Sequence, residues 1–531
     1  TFLSAAEMRG AADVSAADML AQFMDRAQGL LGDPSDSSSV FATLDPVFSS
    51  FGSLAVDPSS ALRQSSALSD LQTLLSQLDT TAEEIAALRD ESHTRIVSAM
   101  EEANALMSGI ARLNTSIQRA TIGGVSSTEA ETEQSRMLDR LSEIIDIRTQ
   151  ERTLGGVEVR TADGLLLVDI DAAVLGLSST SDGEAYQGLV MMSPRSTTET
   201  PLESHLGGGE LKGLLRARDH ELVNLQLAFG EFAAGAAETL NAAHNSGTSV
   251  PAPNELTGRN TGLLATDRLN FTGVTHIGIV DASGNVVRNF RVDFNTQQIL
   301  DDQANVTSFA NSVGDFQTAL NTAMGADGQV SFANGQLQLE AMAPGTGLAI
   351  RDDASSPAMR AGKGFSHTFG LNDLVTHGNA LGYATGISGT DLHGFTAGQT
   401  MTFAVRNNDG SIMRRVDFTV GAGATMDSLR ADLNTALQGY GQAQLNAEGR
   451  LQVVPTSNNV ARIDVTQDTT VRGDTNMSMS ELFGLGESIP LQRSRSLSIR
   501  SDIGSNPQLL ASAQADLAGA AAGQRVLSPG D

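Results

Sequence analysis

The amino-acid sequence predicts an α+β multidomain protein. It reads as a long-helix bundle domain with a β-hairpin, plus two duplicated β-rich α+β modules inserted before a C-terminal return helix. Three observations carry this reading. Apolar residues recur at helical spacing through most of residues 1–150 and again through 210–245. Between 256 and 495, four short motifs occur twice in the same order. An Ala-rich stretch within 496–531 then returns to helical composition. The expected domains are 1–255 with 496–531 as one discontinuous helical domain, 256–385 as a first repeat module and 386–495 as a second.

The chain has 531 residues, enough for roughly three to four domains with proper cores. Its formal net charge is −28, and lysine occurs only at Lys212 and Lys363. A chain this acidic repels nucleic-acid phosphates and anionic membranes, so neither is expected as a partner. Cysteine is absent, which excludes disulfides, thiolate metal sites and cysteine nucleophiles. Apolar residues make up 40%, too many for a disordered tail, and they are mostly aliphatic. No run approaches the roughly 18 consecutive apolar residues of a membrane-spanning helix. The opening Thr1-Phe2-Leu3-Ser4 has neither an initiator Met nor a charged-then-apolar signal, so a trimmed fragment is expected.

The first block reads as helical. Met19, Leu20, Phe23, Met24, Ala27, Leu30 and Leu31 share one face and stop at Gly32-Asp33-Pro34. Phe41, Leu44, Val47, Phe48, Phe51 and Leu54 mark a shorter segment. Asp57-Pro58 reads as a helix start, with Asp as cap and Pro in the first turn. An apolar seam follows at Leu71, Leu75, Leu78, Ala82 and Ile85, skips, and resumes at Ile96, Ala99, Ala103, Leu106, Ile110, Leu113 and Ile117. One continuous helix of that length reaches ~90 Å. Its heptad spacing demands a partner helix, either inside an intramolecular bundle or in a coiled coil between chains. Gly123-Gly124 ends it, and Thr128-Glu129-Ala130-Glu131 reads as the capping box of a second helix.

Then the period changes. Val157, Val159 and Leu165–Val168 flank a hairpin turn at Ala162-Asp163-Gly164. Residues 178–209 read as loop with one apolar run, Leu189-Val190-Met191-Met192. A helix over 210–245 follows Gly207-Gly208-Gly209. In the repeats, Phe290–Phe294 matches Arg414–Phe418, Ala319–Ala323 matches Asp432–Ala436, Asn334–Gln338 matches Glu448–Gln452, and Phe369–Leu371 matches Phe483–Leu485. The offset falls from 124 to 113–114, which implies an insertion of about eleven residues around Asn295–Val306 in the first copy. Each copy reads as hairpin, short helix, hairpin and short helix, with first turns at Ala282–Asn285 and Asn408-Asp409-Gly410. After Asn506-Pro507 a helix is expected through Leu509, Leu510, Ala513 and Leu517, then a linker at Ser528-Pro529-Gly530-Asp531. That helix is expected to pack on the first block and on the 210–245 helix.

Catalytic constellations are missing. Gly362-Lys363 has Pro357 and Gly364 where a phosphate-binding loop needs Gly and a hydroxyl. His220 and His244 stand too far apart along one helix to share a metal. Asp352-Asp353 lacks an oxygen-ligand series, and Gly386-Ile387-Ser388-Gly389 lacks nucleophile-elbow spacing. Arg472-Gly473-Asp474 is a tripeptide of common residues, expected by chance in roughly one chain in five of this size. No catalytic, cofactor-binding or metal-ligating residue is assigned, and no enzyme activity is expected.

Three stretches resemble a known family. Leu44-Asp45-Pro46-Val47-Phe48-Ser49-Ser50-Phe51 leads into Leu54–Ser60 and Arg63-Gln64. Gly208–Leu215 is followed by Arg218-Asp219 and by Leu240-Asn241-Ala242-Ala243-His244-Asn245-Ser246-Gly247. Ile499-Arg500-Ser501-Asp502-Ile503 precedes Asn506-Pro507. Together they resemble the flagellar hook-associated protein 1 (FlgK) family. The resemblance implies an extracellular structural subunit of the bacterial flagellum, exported without a cleaved signal peptide, that adapts hook to filament. It implies self-association in a ring, contact with the hook protein and with the next hook-associated or filament subunits, and an export chaperone acting at a C-terminus missing here. It also implies terminal helices forming an inner tube, absent from this chain, so this stretch alone is expected to stay monomeric. Another surface protein, such as a flagellin, hook protein or adhesin, shares the same plan of helices with decorating modules.

Overall fold

Helices α1 (Phe2–Leu31), α2 (Leu44–Val56), α3 (Ala61–Gly123) and α4 (Thr128–Ile144) open the chain. This computed structural model describes every residue except 1, 34–35, 37–38, 180–184, 194–195, 197, 379, 409 and 528–531, and no side chain of 2–5. Pro34, Asp409 and Ser528-Pro529-Gly530-Asp531, read above as turn or linker residues, lie outside the described residues. The long helix is unbroken because it holds no proline, and its one internal glycine, Gly109, leaves room for the Met137 sulfur of α4. Its start differs from expectation. Asp57 closes α2, its N–H bonding the Leu54 carbonyl at 3.1 Å, and Ser60 precedes α3. Likewise Ser127, not Thr128, precedes α4, and its hydroxyl donates to Glu131 Oε1 at 2.5 Å without capping the backbone.

Strands β1 (Ile147–Glu151), β2 (Val157–Thr161) and β3 (Leu166–Val168) form an antiparallel sheet, turning at Ala162-Asp163-Gly164 as the spacing requires. A second sheet, β4 (Val174–Leu177), β5 (Leu189–Met192) and β6 (Glu199–Pro201), occupies the stretch read as loop. Strands of three or four residues are too short to declare an alternation. The helix expected over 210–245 is interrupted. It runs as α5 (Glu210–Arg216), a π turn (Ala217–Glu221) and α6 (Leu222–Asn245).

The chain packs as two compact units, one of residues 1–32, 83–226 and 406–413, the other of 33–82, 227–405 and 414–531. In the first, Ile96, Ala99, Ala103 and Ile110 of the α3 seam are buried with Phe23 of α1, Leu138 and Leu141 of α4 and Leu211 and Leu214 of α5. Val159, Leu167, Leu175 and Met191 of the two small sheets close the same core. A buried amide fixes the register of helix against strand. Asn114 receives the Val157 N–H at 2.8 Å and the Gln134 amide at 2.9 Å, and donates to the carbonyls of Val157 and Asp169, both at 2.7 Å. Every hydrogen-bonding site of that side chain is used.

The second unit holds α2, the start of α3, most of α6 and the two repeat stretches apart from residues 406–413. The first stretch contains β7 (Glu255–Thr257), β8 (Val274–Asp281), β9 (Val286–Asp293), β10 (Gln298–Asp301), β11 (Val306–Ser308), α7 (Val313–Met324), β12 (Gly328–Ala333), β13 (Gln336–Ala341), β14 (Thr346–Asp352) and α8 (Phe365–Phe369). After β15 (Val375–Thr376), the second contains β16 (Thr400–Arg406), β17 (Ile412–Thr419), α9 (Met426–Ala436), β18 (Gly441–Leu445), β19 (Leu451–Pro455), β20 (Arg462–Asp468) and α10 (Met479–Phe483). The main sheets run β11-β10-β9-β8-β14 and β17-β16-β20. Residues 295–306, read as an insertion, supply β10 and the start of β11. Matching side chains make matching bonds. Asn321 accepts from Val330 N–H at 3.0 Å, and Asn434 from Ala443 N–H at 2.7 Å. Thr261 donates to the Gly335 carbonyl at 2.8 Å, and Thr385 to that of Gly449 at 2.7 Å. One continuous core joins Phe290, Phe316 and Phe365 to Phe403, Phe418 and Phe483.

The expected C-terminal return helix does not form. Strand β21 (Ser498–Ile499) pairs with β15, a single turn at Pro507–Leu509 follows, and residues 510–527 run as an irregular strap. Ala513, Ala515 and Leu517 are buried at a period of two, the period of an extended chain rather than a helix. Nor does the strap lie on the first helices. It covers Val280, Val286 and Ala349 on the first repeat's sheet, where Asn289 Nδ2 donates to the carbonyls of Leu517 (2.8 Å) and Ala520 (3.1 Å). Its start reaches α6, where His244 accepts the Ala511 N–H.

Candidate functional site

The residues that carry the family resemblance turn out to be fasteners. Arg63 donates to the Ser53 carbonyl at 2.5 Å and Gln64 to the Pro58 carbonyl at 2.9 Å, so together they clip the turn between α2 and α3. Gly209, at φ 89°, donates its N–H to the Ala12 carbonyl at 2.9 Å. Gly213 lies against the Ala16 backbone, leaving no space for a Cβ.

The densest group sits at the end of α6. Asn241 receives the N–H groups of Leu374 (2.9 Å) and Val375 (2.8 Å) and donates to the Val375 carbonyl at 2.8 Å. Asn245 donates to Asp373 Oδ1 at 2.7 Å and accepts from Ser366 (2.8 Å) and Asn372 N–H (2.9 Å). Between them His244 is buried. Its Nδ1 donates to the Asn372 carbonyl at 2.6 Å while Nε2 accepts the Ala511 N–H at 2.8 Å, which fixes the neutral tautomer. Burial, above all, pushes this imidazole down to about 4. On the other side, Arg500 N–H bonds the Leu374 carbonyl at 2.9 Å and its guanidinium the Leu371 carbonyl at 3.1 Å. Residues 371–375 are thus gripped by two of the three motif stretches.

A cavity of about 370 Å³ lies beside this strip, lined by Glu238, Arg259, Arg360, Lys363, Asp373 and Glu481 among others. Its central charges are already matched to one another. Glu238 meets Lys363 Nζ at 2.8 Å, His367 Nε2 at 3.0 Å and Arg259 at 3.4 Å. Burial alone would raise the Glu238 pKa, but the bond from His367 and the charges of Arg259 and Lys363 outweigh it and hold the carboxyl well below the usual range. Arg360 is spent on the carbonyls of Thr385 and Arg268, and burial lowers it to about 10. The arrangement is a set of internal ion pairs.

Among the described residues no three His, Asp or Glu groups are placed to hold a metal ion. No described helix is long and apolar enough to cross a membrane. Arg472, the first residue of the Arg-Gly-Asp tripeptide, is fully buried and bidentate to Asp267 at 2.8 and 3.0 Å, so its side chain is unavailable to a receptor. The sequence offered no sign of that pair, since 205 residues separate its members.

Comparison with known proteins covers the first two of the three stretches. Residues 24–260 match the flagellar hook-associated protein FlgK helical domain. Flagellar hook-associated protein 1 of Escherichia coli (strain K12) is 21% identical over 346 residues, which is 64% of this chain and 57% of that protein. The chain therefore spans little more than half the length of that relative. The solved structure of the flagellar hook junction protein FlgK from Burkholderia pseudomallei aligns with 93% of this chain and 90% of its own, at 16% identity and a TM-score of 0.42. Residues 24–260 of the chain are thus similar to the helical domain of the flagellar hook-associated protein FlgK.

Proposed function

We propose that this chain is a structural, non-catalytic subunit of the bacterial flagellum, acting outside the cell as the adaptor between hook and filament. The observation that carries the reading is the match of residues 24–260 to the FlgK helical domain. The mutually satisfied charges around Glu238 fit a scaffold better than an enzyme. In this reading copies of the full-length protein associate in a ring, contact the hook protein on one side and the next hook-associated or filament subunits on the other, and reach the surface with an export chaperone. The α3 seam then belongs to the bundle of a single chain. Residues 256–385 and 386–495 are duplicated modules. Their common strand order and the paired Asn321 and Asn434 bonds support duplication.

Deleting the gene in its own organism tests the function. The cells should keep hooks, lose attached filaments and recover them when the gene is restored. Filaments that stay attached without the protein would refute the adaptor role.

A further inference from the structure

One imidazole fastens the near end of the strap that crosses the first repeat's sheet. His244 is buried at the end of α6 and spends both ring nitrogens on main chain. Nδ1 donates to the Asn372 carbonyl at 2.6 Å, and Nε2 accepts the Ala511 N–H at 2.8 Å. Beside it, Thr248 and Ala513 form a single antiparallel bridge, with N–H to carbonyl distances of 2.8 and 3.1 Å. The far end is held separately. There the Val286 N–H bonds the Gln524 carbonyl at 2.8 Å, and the Val526 N–H the Gly284 carbonyl at 2.9 Å. Between the two ends, Ala513, Ala515 and Leu517 cover Val280, Val286 and Ala349.

The near fastening works only with a neutral ring. A protonated imidazole carries N–H on both nitrogens, so Nε2 would face the Ala511 N–H as donor against donor. A buried N–H would then lack an acceptor, beside a cation shut away from water. Lifting the strap lets water take both protons. With the strap closed, burial holds the imidazole pKa down at about 4, against an ordinary 6.5. The closed form therefore refuses a proton that the open form takes up. Closure is whole above pH 6.5 and weakens as pH falls toward 4. The charges around the ring are matched to partners of their own. Arg500 opposes an added charge and Asp502 favours it, and the two pair at 2.7 Å. Asp373, on the strip that His244 grips, meets Arg259 at 3.0 Å and Asn245 at 2.7 Å. Arg351 of β14 donates to the Ser246 carbonyl at 2.9 Å. On the strap itself, no charged residue precedes Asp516.

We infer that the strap is an acid-released cover: protonation of His244 frees residues 510–517 and bares the apolar strip of Val280, Val286 and Ala349, while the helices and repeats stay folded. The device needs two things that this chain has. The fastening must be one titratable group rather than a ladder, and no helix or continuous strand stiffens residues 510–527. The seat must also survive without its cover, and β8 and β9 belong to a five-stranded sheet whose other face packs in the main core.

Hydrogen exchange of the full chain at about pH 7 and about pH 5 tests this, each rate divided by that of the same amide in an unfolded peptide. The Ala511 and Ala513 amides should lose about tenfold in protection at the lower pH, while amides of α4 keep theirs. His244→Gln, which accepts the Ala511 N–H without titrating, should show equal protection at both. A second variant, Thr248→Cys with Ala513→Cys, ties the near end by a disulfide in a chain with no other cysteine. Oxidised, it should bind no more hydrophobic dye in acid than at neutral pH; reduced, it should bind more, as the parent does. Unchanged protection of Ala511 and Ala513 in the acidified parent would overturn the inference. So would a loss that persists in His244→Gln or in the oxidised double variant, and so would α4 amides that open in step with the strap. An acid response removed by His276→Gln, at the buried imidazole on β8, and not by His244→Gln would assign it to the sheet and overturn it as well.

Discussion

Asn241 and Val375 are 134 residues apart in sequence, and two hydrogen bonds of 2.8 Å join them, one in each direction between side-chain amide and main chain. The same amide oxygen also takes the Leu374 N–H at 2.9 Å. All three groups are buried, so no water replaces a lost partner. Asn241→Ala should therefore cost about 3 kcal/mol of stability, the penalty of two buried N–H groups and one carbonyl left bare. Urea unfolding followed by circular dichroism measures it. A change within about 0.5 kcal/mol would mean that the strip is held by its other contacts.

His244 makes stability depend on acid. Burial lowers its folded pKa to about 4 from an ordinary value of 6.5. Between those values the unfolded chain takes up a proton that the folded chain refuses. This contribution is therefore whole above pH 6.5, shrinks as pH falls, and is fully lost below pH 4. It amounts to about 3 kcal/mol. His244→Gln keeps an acceptor for the Ala511 N–H and does not titrate. The difference between parent and variant in unfolding free energy should change across this window, and a constant difference would contradict the assignment.

Gly213 has no room for even one added carbon. Gly213→Ala drives a methyl into the Ala16 backbone, so α1 and α5 must separate or bend. A loss of about 2–4 kcal/mol is expected, by the overpacking penalty of a rigid backbone contact. Thermal unfolding checks it, and Gly235→Ala, which meets nothing within 4 Å, is the control expected to be neutral or slightly stabilising.

Ending the chain after Gln508 removes the strap. Val280, Val286 and Ala349 then lose their cover, and Asn289 loses both carbonyl partners. The shortened chain should bind a hydrophobic dye and exchange its β8 and β9 amides faster, while amides of α4 stay unchanged. Unaltered exchange in β8 would show that the strap is decoration.

Parts of this fold were legible in the sequence for physical reasons. The α3 seam declares itself because one apolar face repeats over many turns, and the hairpin at Asp163-Gly164 because few residues suit its backbone. The strap was misread because Ala and Leu satisfy a helix as readily as an extended chain. What decides between the two is Val280 and Val286 waiting beneath, and these lie over 200 residues upstream. The sheet of β4, β5 and β6 stayed hidden since its strands are too short to alternate visibly. Among the fasteners, Leu240–Gly247 stood out only as part of a resemblance. Composition cannot distinguish Asn241 from any polar helix residue, because its partners come from the far side of the first repeat.

Electron microscopy of cells carrying the full-length protein with a gold-binding tag tests the adaptor role most directly. The account predicts one compact band of label per flagellum, where hook meets filament. Label spread along the filament, or over the cell body away from flagella, would contradict it.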